Sequence, residues 1–147
     1  MHWHLKTFKE LSTTELYNIL KLRSEIFVVE QNCVYQDIDD KDQKAFHFFC
    51  KDNNQIISYT RIFKPGDYYI EAAIGRVVVK NVKRGTGLGH VLITKSIDEI
   101  EKAMGKIPIK IGAQLYLKAF YESHGFKKIS EEYLEDGIPH IHMLRKL

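Results

Sequence analysis

The sequence has few cysteines, few prolines and no long hydrophobic run. It contains two cysteines and three prolines in 147 residues, and Cys33 and Cys50 lack the paired spacing of a metal site. A single disulfide is the alternative, but we expect two buried free thiols in a reducing compartment. No segment is as long as a membrane span, and the residues after Met1 lack the apolar core of a signal peptide. These absences favour a cytoplasmic location without a membrane partner.

A strong charge of one sign is also missing. Lys and Arg total 22 and Asp and Glu total 19, which gives a formal net charge of +3. This small excess does not predict nucleic acid as a partner, because such sites need a basic face with exposed aromatic residues. The seven histidines show no ligand-like spacing, so no metal is expected. Without a linker or a repeat, residues 1–147 are expected to form one domain.

Hydrophobic periodicity and turn residues predict the element order β-α-β-β-β-α-β-α-β-β. Ser12 and Glu15 form a capping-box pattern that begins the first helix, and Gly125 marks the end of the third. This order predicts an α/β fold of the α+β, mixed-sheet kind rather than a doubly wound one. Strands are expected at 2–8, 45–50, 55–63, 68–79, 107–113, 127–134 and 140–147, and helices at 12–29, from the turn at 83–89 to 104, and at 115–124.

A glycine-rich turn precedes the second, amphipathic helix. Its residues are Arg84, Gly85, Thr86, Gly87, Leu88 and Gly89. Glycines allow a tight turn with exposed N–H groups, the helix N-terminus adds partial positive charge, and Arg84 can pair with phosphate oxygens. The spacing matches neither the dinucleotide fingerprint nor the P-loop. The turn is therefore either a phosphate or pyrophosphate site or a tight connection with incidental glycines.

Several motifs together resemble the GNAT N-acetyltransferase superfamily. Arg84-x-x-Gly87-x-Gly89, after Val77-Val78-Val79, is similar to its motif A, and Tyr121-x-x-x-Gly125-Phe126 is similar to its later helix. The likeness runs from Trp3 to about Met143. Val34 departs from it where the ElaA-like branch commonly has proline, and Gln114 where many members have asparagine. The segments that resemble the ElaA-like branch are Phe27–Cys33, Tyr35–Asp37, Ile74–Val77, Gly112–Gln114 and Glu135–Ile141.

This resemblance implies a GNAT-like acyl-CoA N-acyltransferase fold, with a twisted, mostly antiparallel central sheet that is splayed by a bulge and flanked by helices. It also implies that acetyl-CoA donates an acetyl group to an amine of a small molecule or peptide. A catalytically weak acyl-CoA-binding regulatory module is the alternative, and a homodimer is suggested only by analogy. The implied cofactor-binding residues are Val77, Val78, Val79, Arg84, Gly85, Thr86, Gly87, Leu88, Gly89 and Gln114.

The resemblance also singles out Tyr121 as the acid that protonates the leaving thiolate. A phenol is a fair match to a thiol in proton affinity, although an aromatic core residue is the alternative interpretation. The attacking amine needs a base, because free ammonium groups hold their protons at neutral pH. Candidates for that base are His140 and His47, ranked first as imidazoles, and then Glu30 and Glu71. The alternative interpretation, which surface polar residues favour by default, is that each of them is a structural or solvated polar residue.

An acidic loop and two strand arginines are the remaining candidates. Glu30, Asp37, Asp39, Asp40 and Asp42 either attract a cationic amine or form a solvated loop. Arg61 and Arg76 lie within apolar strands, where an unpaired charge is costly. They either face a cleft, pack flat at an edge, or join Glu30 in a buried ion network. The expected substrate-binding residues are Glu30, Asp37, Asp39, Arg61 and Arg76.

Overall fold

The computed structural model describes residues 1–146, in which one mixed sheet is flanked by helices. The helices are α1 (Thr13–Arg23), α2 (Leu88–Met104) and α3 (Lys118–Glu122). The strands are β1 (His2–Thr7), β2 (Phe46–Asp52), β3 (Gln55–Phe63), β4 (Ala72–Val79), β5 (Ile109–Gln114), β6 (Phe126–Lys128), β7 (Tyr133–Glu135) and β8 (Ile138–Arg145). The predicted α/β fold with a mixed sheet is therefore confirmed.

The strands follow the order β1-β2-β3-β4-β5-β8-β6, and β7 also pairs with β8. All of these pairs are antiparallel except β4 and β5, which are parallel. The parallel pair is short, because only Ala72 with Ile109 and Ala73 with Lys110 are in register. Beyond these residues β4 remains paired with β3 and β5 with β8, so the sheet opens between its two central strands.

A bulge in β4 accompanies this opening. Tyr59 pairs with Val78 and Arg61 with Gly75, so one residue of β3 lies opposite two residues of β4. Arg76 has a positive φ of 49° at this point, which is uncommon for a residue with a side chain. The extra residue shifts the alternation of side chains along the strand. The predicted splaying of the sheet by a bulge is thus confirmed.

Two apolar clusters occupy the opposite faces of the sheet. Phe48 packs with residues of α2 and α3, whereas the next residue, Phe49, packs with residues of α1. Such alternation is expected for a strand covered on both faces. Across the bulge the alternation changes: Ile74 contacts the α2 cluster, and Val78, also an even-numbered residue, contacts the α1 cluster. Helices therefore cover both faces, and the cleft opens within the sheet itself.

Local signals placed several element boundaries correctly. Ser12 caps α1, and both hydrogen bonds of the capping box with Glu15 are formed, each close to 3 Å. Gly125 has the predicted left-handed conformation, with a φ of 89°, although α3 itself ends at Glu122 and Gly125 lies in the turn that follows. Cys33 and Cys50 are both buried and free. Short-range capping and turn chemistry is readable in sequence because the interacting groups are neighbours along the chain.

Other predicted boundaries were wrong. The α-helix predicted to reach Val29 ends at Arg23 and continues as a π-helical segment, Ser24–Glu30. The strand predicted at 68–79 begins at Ala72, because residues 68–71 form bends that pack aromatic rings against neighbouring residues. The segment 127–134 is divided between β6 and β7, which pair with different parts of β8. In the helix predicted at 115–124, Leu115–Leu117 form a 3₁₀ turn before α3.

The final strand also differs from its prediction. Strand β8 begins at Ile138, two residues earlier than expected, since Asp136 and Gly137 alone make the turn from β7. Both of these turn residues have a positive φ, as the tight turns of two-residue hairpins require. Residue 147, the last of the predicted strand, lies outside the described residues. Within residues 1–146, no helix combines the length and the apolar character needed to cross a membrane.

Candidate active site

A cleft of about 670 Å³ lies where β4 and β5 separate. One wall is formed by residues 74–79 of β4, and the other by Ile111, Gly112 and Gln114 of β5. The glycine-rich turn borders the cleft, as do the π-helical segment, α3 and the β7–β8 hairpin. Because the bulge keeps these strands apart, the cleft has exposed strand backbone on its β4 side.

The turn at the start of α2 has the geometry expected of an anion site. Gly85 and Gly87 have positive φ angles of 77° and 82°, and α2 begins directly afterwards at Leu88. The hydroxyl of Thr86 donates to the carbonyl oxygen of Lys83 at 2.6 Å, which closes the turn. The first N–H groups of a helix have no partner within the helix, and α2 is long enough to present them together.

The turn residues occupy different positions around the cleft. Arg84 and Gly89 line it, whereas Gly85, Thr86 and Gly87 are exposed outside it. Leu88 is instead buried in an apolar cluster with Cys50 and Ile57. The guanidinium of Arg84 pairs with the carboxylate of Glu30, and its Nε donates to the carbonyl oxygen of Val79 at 3.3 Å. The Arg84–Glu30 pair therefore links the turn to the π-helical segment.

Tyr121 lies in the cleft with its ring largely covered. The side chain is 5% exposed and packs edge-on against Phe120 and Phe126. Burial raises the pKa of Tyr121 above its ordinary value of 10, so the phenol keeps its proton at neutral pH. Gln114 also lines the cleft, and its amide donates to the side-chain oxygen of Gln31 at 3.3 Å. A protonated phenol and a neutral amide thus lie in one cavity.

The two histidines ranked as bases occupy very different places. His140 lines the cleft, whereas His47 is completely buried in the sheet and is not a cleft residue. Nε2 of His47 donates to the carbonyl oxygen of Asp42 at 2.9 Å, so Nδ1 accepts from the hydroxyl of Tyr59 at 2.6 Å. Burial lowers the pKa of His47, which therefore stays neutral. Glu71 is half-buried just before β4 and does not line the cleft.

Most of the acidic loop pairs with buried arginines. Arg23 pairs with Asp37 at 2.8 Å and with Asp42 at 2.7 Å. Arg61 pairs with Asp42 at 2.9 Å and with Asp39 at 2.8 Å. Burial alone would raise the pKa of Asp39, but hydrogen bonds and charge from Arg61 outweigh it and lower the pKa to about 2. These side chains compensate one another's charge.

The five expected substrate-binding residues are therefore divided between two environments. Glu30 and Arg76 line the cleft, whereas Asp37, Asp39 and Arg61 belong to the ion network beside it. Arg76 belongs to both, because its Nε donates to Asp37 at 2.7 Å. From the sequence alone, these charged residues could either line a cleft or form an ion network. The two were not distinguished because the partners of each charge are far apart along the chain.

The hairpin between β7 and β8 supplies two cleft residues that were not selected from the sequence. Glu135 and Asp136 line the cleft, and Glu135 lies beside His140. The thiol of Cys33 donates to the carbonyl oxygen of Asp136 at 3.2 Å, which joins the acidic loop to the hairpin. The Asp-Gly pair was a visible signal for this turn, but only the fold places the turn at the cleft. Among the described residues, no cluster of three or more His, Cys, Asp or Glu residues could hold a metal.

Comparison with known proteins places this geometry in a family. Residues 13–147 match the family model described as an acetyltransferase (GNAT) domain. The chain is 40% identical over its whole length to the protein ElaA of Escherichia coli, and covers 97% of that protein. The crystal structure of ElaA superposes with a TM-score of 0.92, and the two chains cover each other to 99%.

Two further solved structures are similar. An acyl-CoA N-acyltransferase from Pseudomonas aeruginosa has a TM-score of 0.94 and 38% identity, with 99% of each chain covered. A GNAT family acetyltransferase from Elizabethkingia anophelis, solved with acetyl-CoA bound, has a TM-score of 0.66 and 17% identity, with 99% of this chain and 97% of that one covered. The last of these shares the fold alone. On the family model and the full-length identity, this chain belongs to the GNAT acetyltransferase family, in the branch that contains ElaA.

Proposed function

We propose that this protein is an acetyl-CoA-dependent N-acetyltransferase that acts on an amine of a small molecule or peptide by direct attack in a ternary complex. The observation that carries the proposal is the cleft, which is bordered by the glycine-rich turn, the free backbone of β4 and the buried phenol of Tyr121. Family membership supports acyl transfer, and a protein of the same fold has been solved with acetyl-CoA. The residues present fit the parts of that cofactor.

The turn at residues 84–89 would hold the pyrophosphate of CoA. Its N–H groups and the N-terminus of α2 provide donors and partial positive charge, and Arg84 provides a full charge. Arg84 pairs with Glu30 in this structure, so a bound pyrophosphate would replace the Glu30 carboxylate. Gly89 lies beside the ring of Phe120, because a Cβ at this position would be 3.6 Å from that ring.

The residues Val77, Val78 and Val79 would align the pantetheine arm. Beyond Ala73, strand β4 has no partner in β5, so backbone groups on that edge can bind an extended chain as an added strand, although the carbonyl oxygen of Val79 already accepts from Nε of Arg84. A backbone N–H at this edge would polarise the thioester carbonyl, a contact whose loss typically costs ~2.7–4 kcal/mol of barrier in such sites. Gln114 faces the same cleft and would contact the arm from β5.

Tyr121 would protonate the leaving thiolate. Burial keeps the phenol protonated until a stronger base appears. The same burial makes it a weaker acid, but a thiolate that forms beside the buried ring is also less hydrated and gains proton affinity. The transfer is therefore favoured only when the C–S bond breaks inside the site. This coupling restricts proton release to the acetyl-transfer step.

Calorimetry with CoA tests the donor site directly. We expect binding by the purified protein, and about tenfold weaker binding by Gly87→Ala, because a side chain at a φ of 82° costs roughly 1–2 kcal/mol and the turn relieves this strain by leaving the conformation that would hold the pyrophosphate. Gly105→Ala is the matched control, since Gly105 has the same φ of 82°, follows the C-terminal end of α2 and does not line the cleft. It should lose similar stability without losing CoA affinity. Absence of any heat with CoA would overturn the proposal.

Catalysis is tested by thiol release from acetyl-CoA in the presence of a panel of amines and peptide N-termini. An enzyme accelerates release with at least one amine, and the acetylated amine is found by mass spectrometry. Strong CoA binding without turnover of any acceptor would instead favour the regulatory module of the same fold. Both experiments use the full chain.

A further inference from the structure

The imidazole of His140 is held in one tautomer. Its Nδ1 lies 2.7 Å from the carbonyl oxygen of Ile138, and because a carbonyl only accepts, Nδ1 has the hydrogen. In the neutral ring Nε2 is then a hydrogen-bond acceptor. The ring stacks on Tyr133 with 5.8 Å between centroids, and the residue is 6% exposed, so rotation of the ring is restricted. The hairpin therefore presents a basic nitrogen at a fixed position of the cleft wall.

A second acceptor lies beside this nitrogen. Oε2 of Glu135 is 3.4 Å from Nε2 of His140, and both residues line the cleft. Two adjacent acceptors are unfavourable unless a donor lies between them. Either a proton on Nε2 or the N–H groups of a bound ligand would supply that donor. An alkylammonium group has three N–H donors and a positive charge, which suits a neutral imidazole beside a carboxylate.

Other charged and titratable groups around the imidazole agree with a cation at this position. The neighbours on β7, β8 and their turn are Tyr133, Glu135, Asp136 and His142, and burial lowers the pKa of His142, which leaves it neutral. From the other elements, Glu30, Tyr35, Arg76 and Tyr121 line the same cleft. Arg76 pairs with Asp37, and Arg84 pairs with Glu30. Within residues 1–146, the acid groups that line the cleft and pair with no arginine are thus those on the hairpin, Glu135 and Asp136.

We infer that the acceptor is a primary alkylamine bound as its ammonium ion between Glu135 and His140, and that Nε2 of His140 takes its proton. This inference rests on the proposed acetyltransferase function. The released lone pair attacks the thioester carbon; the C–N bond forms and the C–S bond breaks. The thiolate takes a proton from Tyr121, and a proton leaving the new amide nitrogen restores the phenol. One proton, held by His140, passes to solvent in each turnover.

The first test compares two acceptors of the same shape. One is the alkylamine that turns over fastest in the panel, and the other is its O-alkylhydroxylamine counterpart, whose nitrogen is uncharged at neutral pH. We expect His140→Gln to lower kcat/KM for the alkylamine on the order of 10²-fold, the usual contribution of a general base, and to change that of the hydroxylamine little. His142→Gln, on the same strand, is the matched control and should not change the ratio between the two acceptors.

The pH profile separates the roles of the two side chains. For the alkylamine, the acidic limb of kcat/KM should disappear in His140→Gln, because the proton acceptor is gone. It should remain in Glu135→Gln, which should instead raise KM for the alkylamine, because the ammonium group loses its carboxylate partner. Glu132→Gln, an exposed residue near the same hairpin, should leave the limb in place. An equal loss for both acceptors in His140→Gln, or an unchanged limb, would contradict the assignment.

A measurement without an acceptor keeps the two proposals distinguishable. Nitrogen-15 NMR of the histidine rings in the CoA complex should show the Nδ1–H tautomer for neutral His140, and the His140→Gln variant should still bind CoA in calorimetry. The Nε2–H tautomer would overturn this inference and leave the proposed function intact. No CoA binding in the unsubstituted chain would instead overturn the proposed function.

Discussion

Tyr121 and His47 show how little the type of a residue says about its use. Both are titratable side chains in apolar segments. Burial raises the pKa of Tyr121 and lowers the pKa of His47, and both shifts favour the neutral form. His47 uses both ring nitrogens in hydrogen bonds within the sheet, whereas Tyr121 lines the cleft. Access to the cleft, rather than proton affinity, distinguishes a candidate acid from a structural polar group.

Replacement of Tyr121 by phenylalanine should slow turnover without unfolding the protein. The ring contacts with Phe120 and Phe126 are retained, so we expect an almost unchanged Tm and unchanged CoA affinity. Loss of the acid should lower kcat on the order of 10²-fold with a true acceptor. Tyr17→Phe, at an exposed position of α1, is the control. Full activity of Tyr121→Phe in the thiol-release assay would show that the phenol is not the acid.

At the scale of the element, the bulge in β4 is the feature on which the site depends. Arg76 adopts a positive φ that glycine would adopt without strain, and such conformations cost of order 1–3 kcal/mol. Its guanidinium is bound by Asp37, and this ion pair offsets the strain by holding the loop against the strand. The same residue therefore opens the sheet and fastens the acidic loop beside the opening.

At position 76 we expect the glycine variant to be more stable than the alanine variant, which is the reverse of the usual order in a strand. Glycine in a strand is normally less stable than alanine by roughly 0.5–1 kcal/mol. At the φ of Arg76 we expect Arg76→Gly to be more stable than Arg76→Ala by about 1 kcal/mol, although both lose the ion pair. Urea unfolding measures the difference. Lys127, an exposed residue of β6, is the control site and should show the ordinary order. Alanine as the more stable variant at position 76 would mean that the bulge is not strained.

At the scale of the whole molecule, an ion network joins parts of the chain that are distant in sequence. Arg23 comes from the end of α1, Arg61 from β3 and Arg76 from β4, and all three bind carboxylates of the loop between α1 and β2. Replacement of one partner of a buried ion pair typically lowers the free energy of unfolding by several kcal/mol, because the other charge is left without its partner. The loop that borders the cleft is therefore coupled to the stability of the entire fold.

Stability should fall in two stages as the pH decreases. The pKa of His47 is lowered from 6.5, so below that pH the unfolded chain binds a proton that the folded chain does not, and stability declines. The pKa of Asp39 is about 2 in the folded chain, against an ordinary value of 3.8. Its contribution to the free energy of unfolding is therefore complete above pH ~4 and is lost as the pH falls toward 2. Asp42, whose pKa is also lowered by its arginines despite burial, acts in the same direction.

Urea unfolding from pH 8 to pH 3 measures this profile. The free energy of unfolding should begin to decline below pH ~6.5 and decline more steeply below pH ~4. His47→Gln should be less stable at pH 8, because it loses the buried hydrogen bonds, but its stability should depend less on pH between 7 and 5. A flat profile from pH 8 to pH 5 in the unsubstituted chain would contradict the assigned state of His47.

Features that depend on neighbouring residues could be predicted from the sequence: the capping box at Ser12, the left-handed conformation of Gly125 and the glycine-rich turn. The motifs also identified the family to which the chain belongs. The folded structure was needed to show that Arg61 and Asp39 form an ion pair, that His47 is enclosed in the sheet and that Glu135 lines the cleft. Caps and turns are formed by groups within a few residues of one another, so the chain encodes them locally. The partner of a buried charge, and the wall of a cleft, come from strands brought together only when the sheet forms, and a single sequence has no local signal for that pairing.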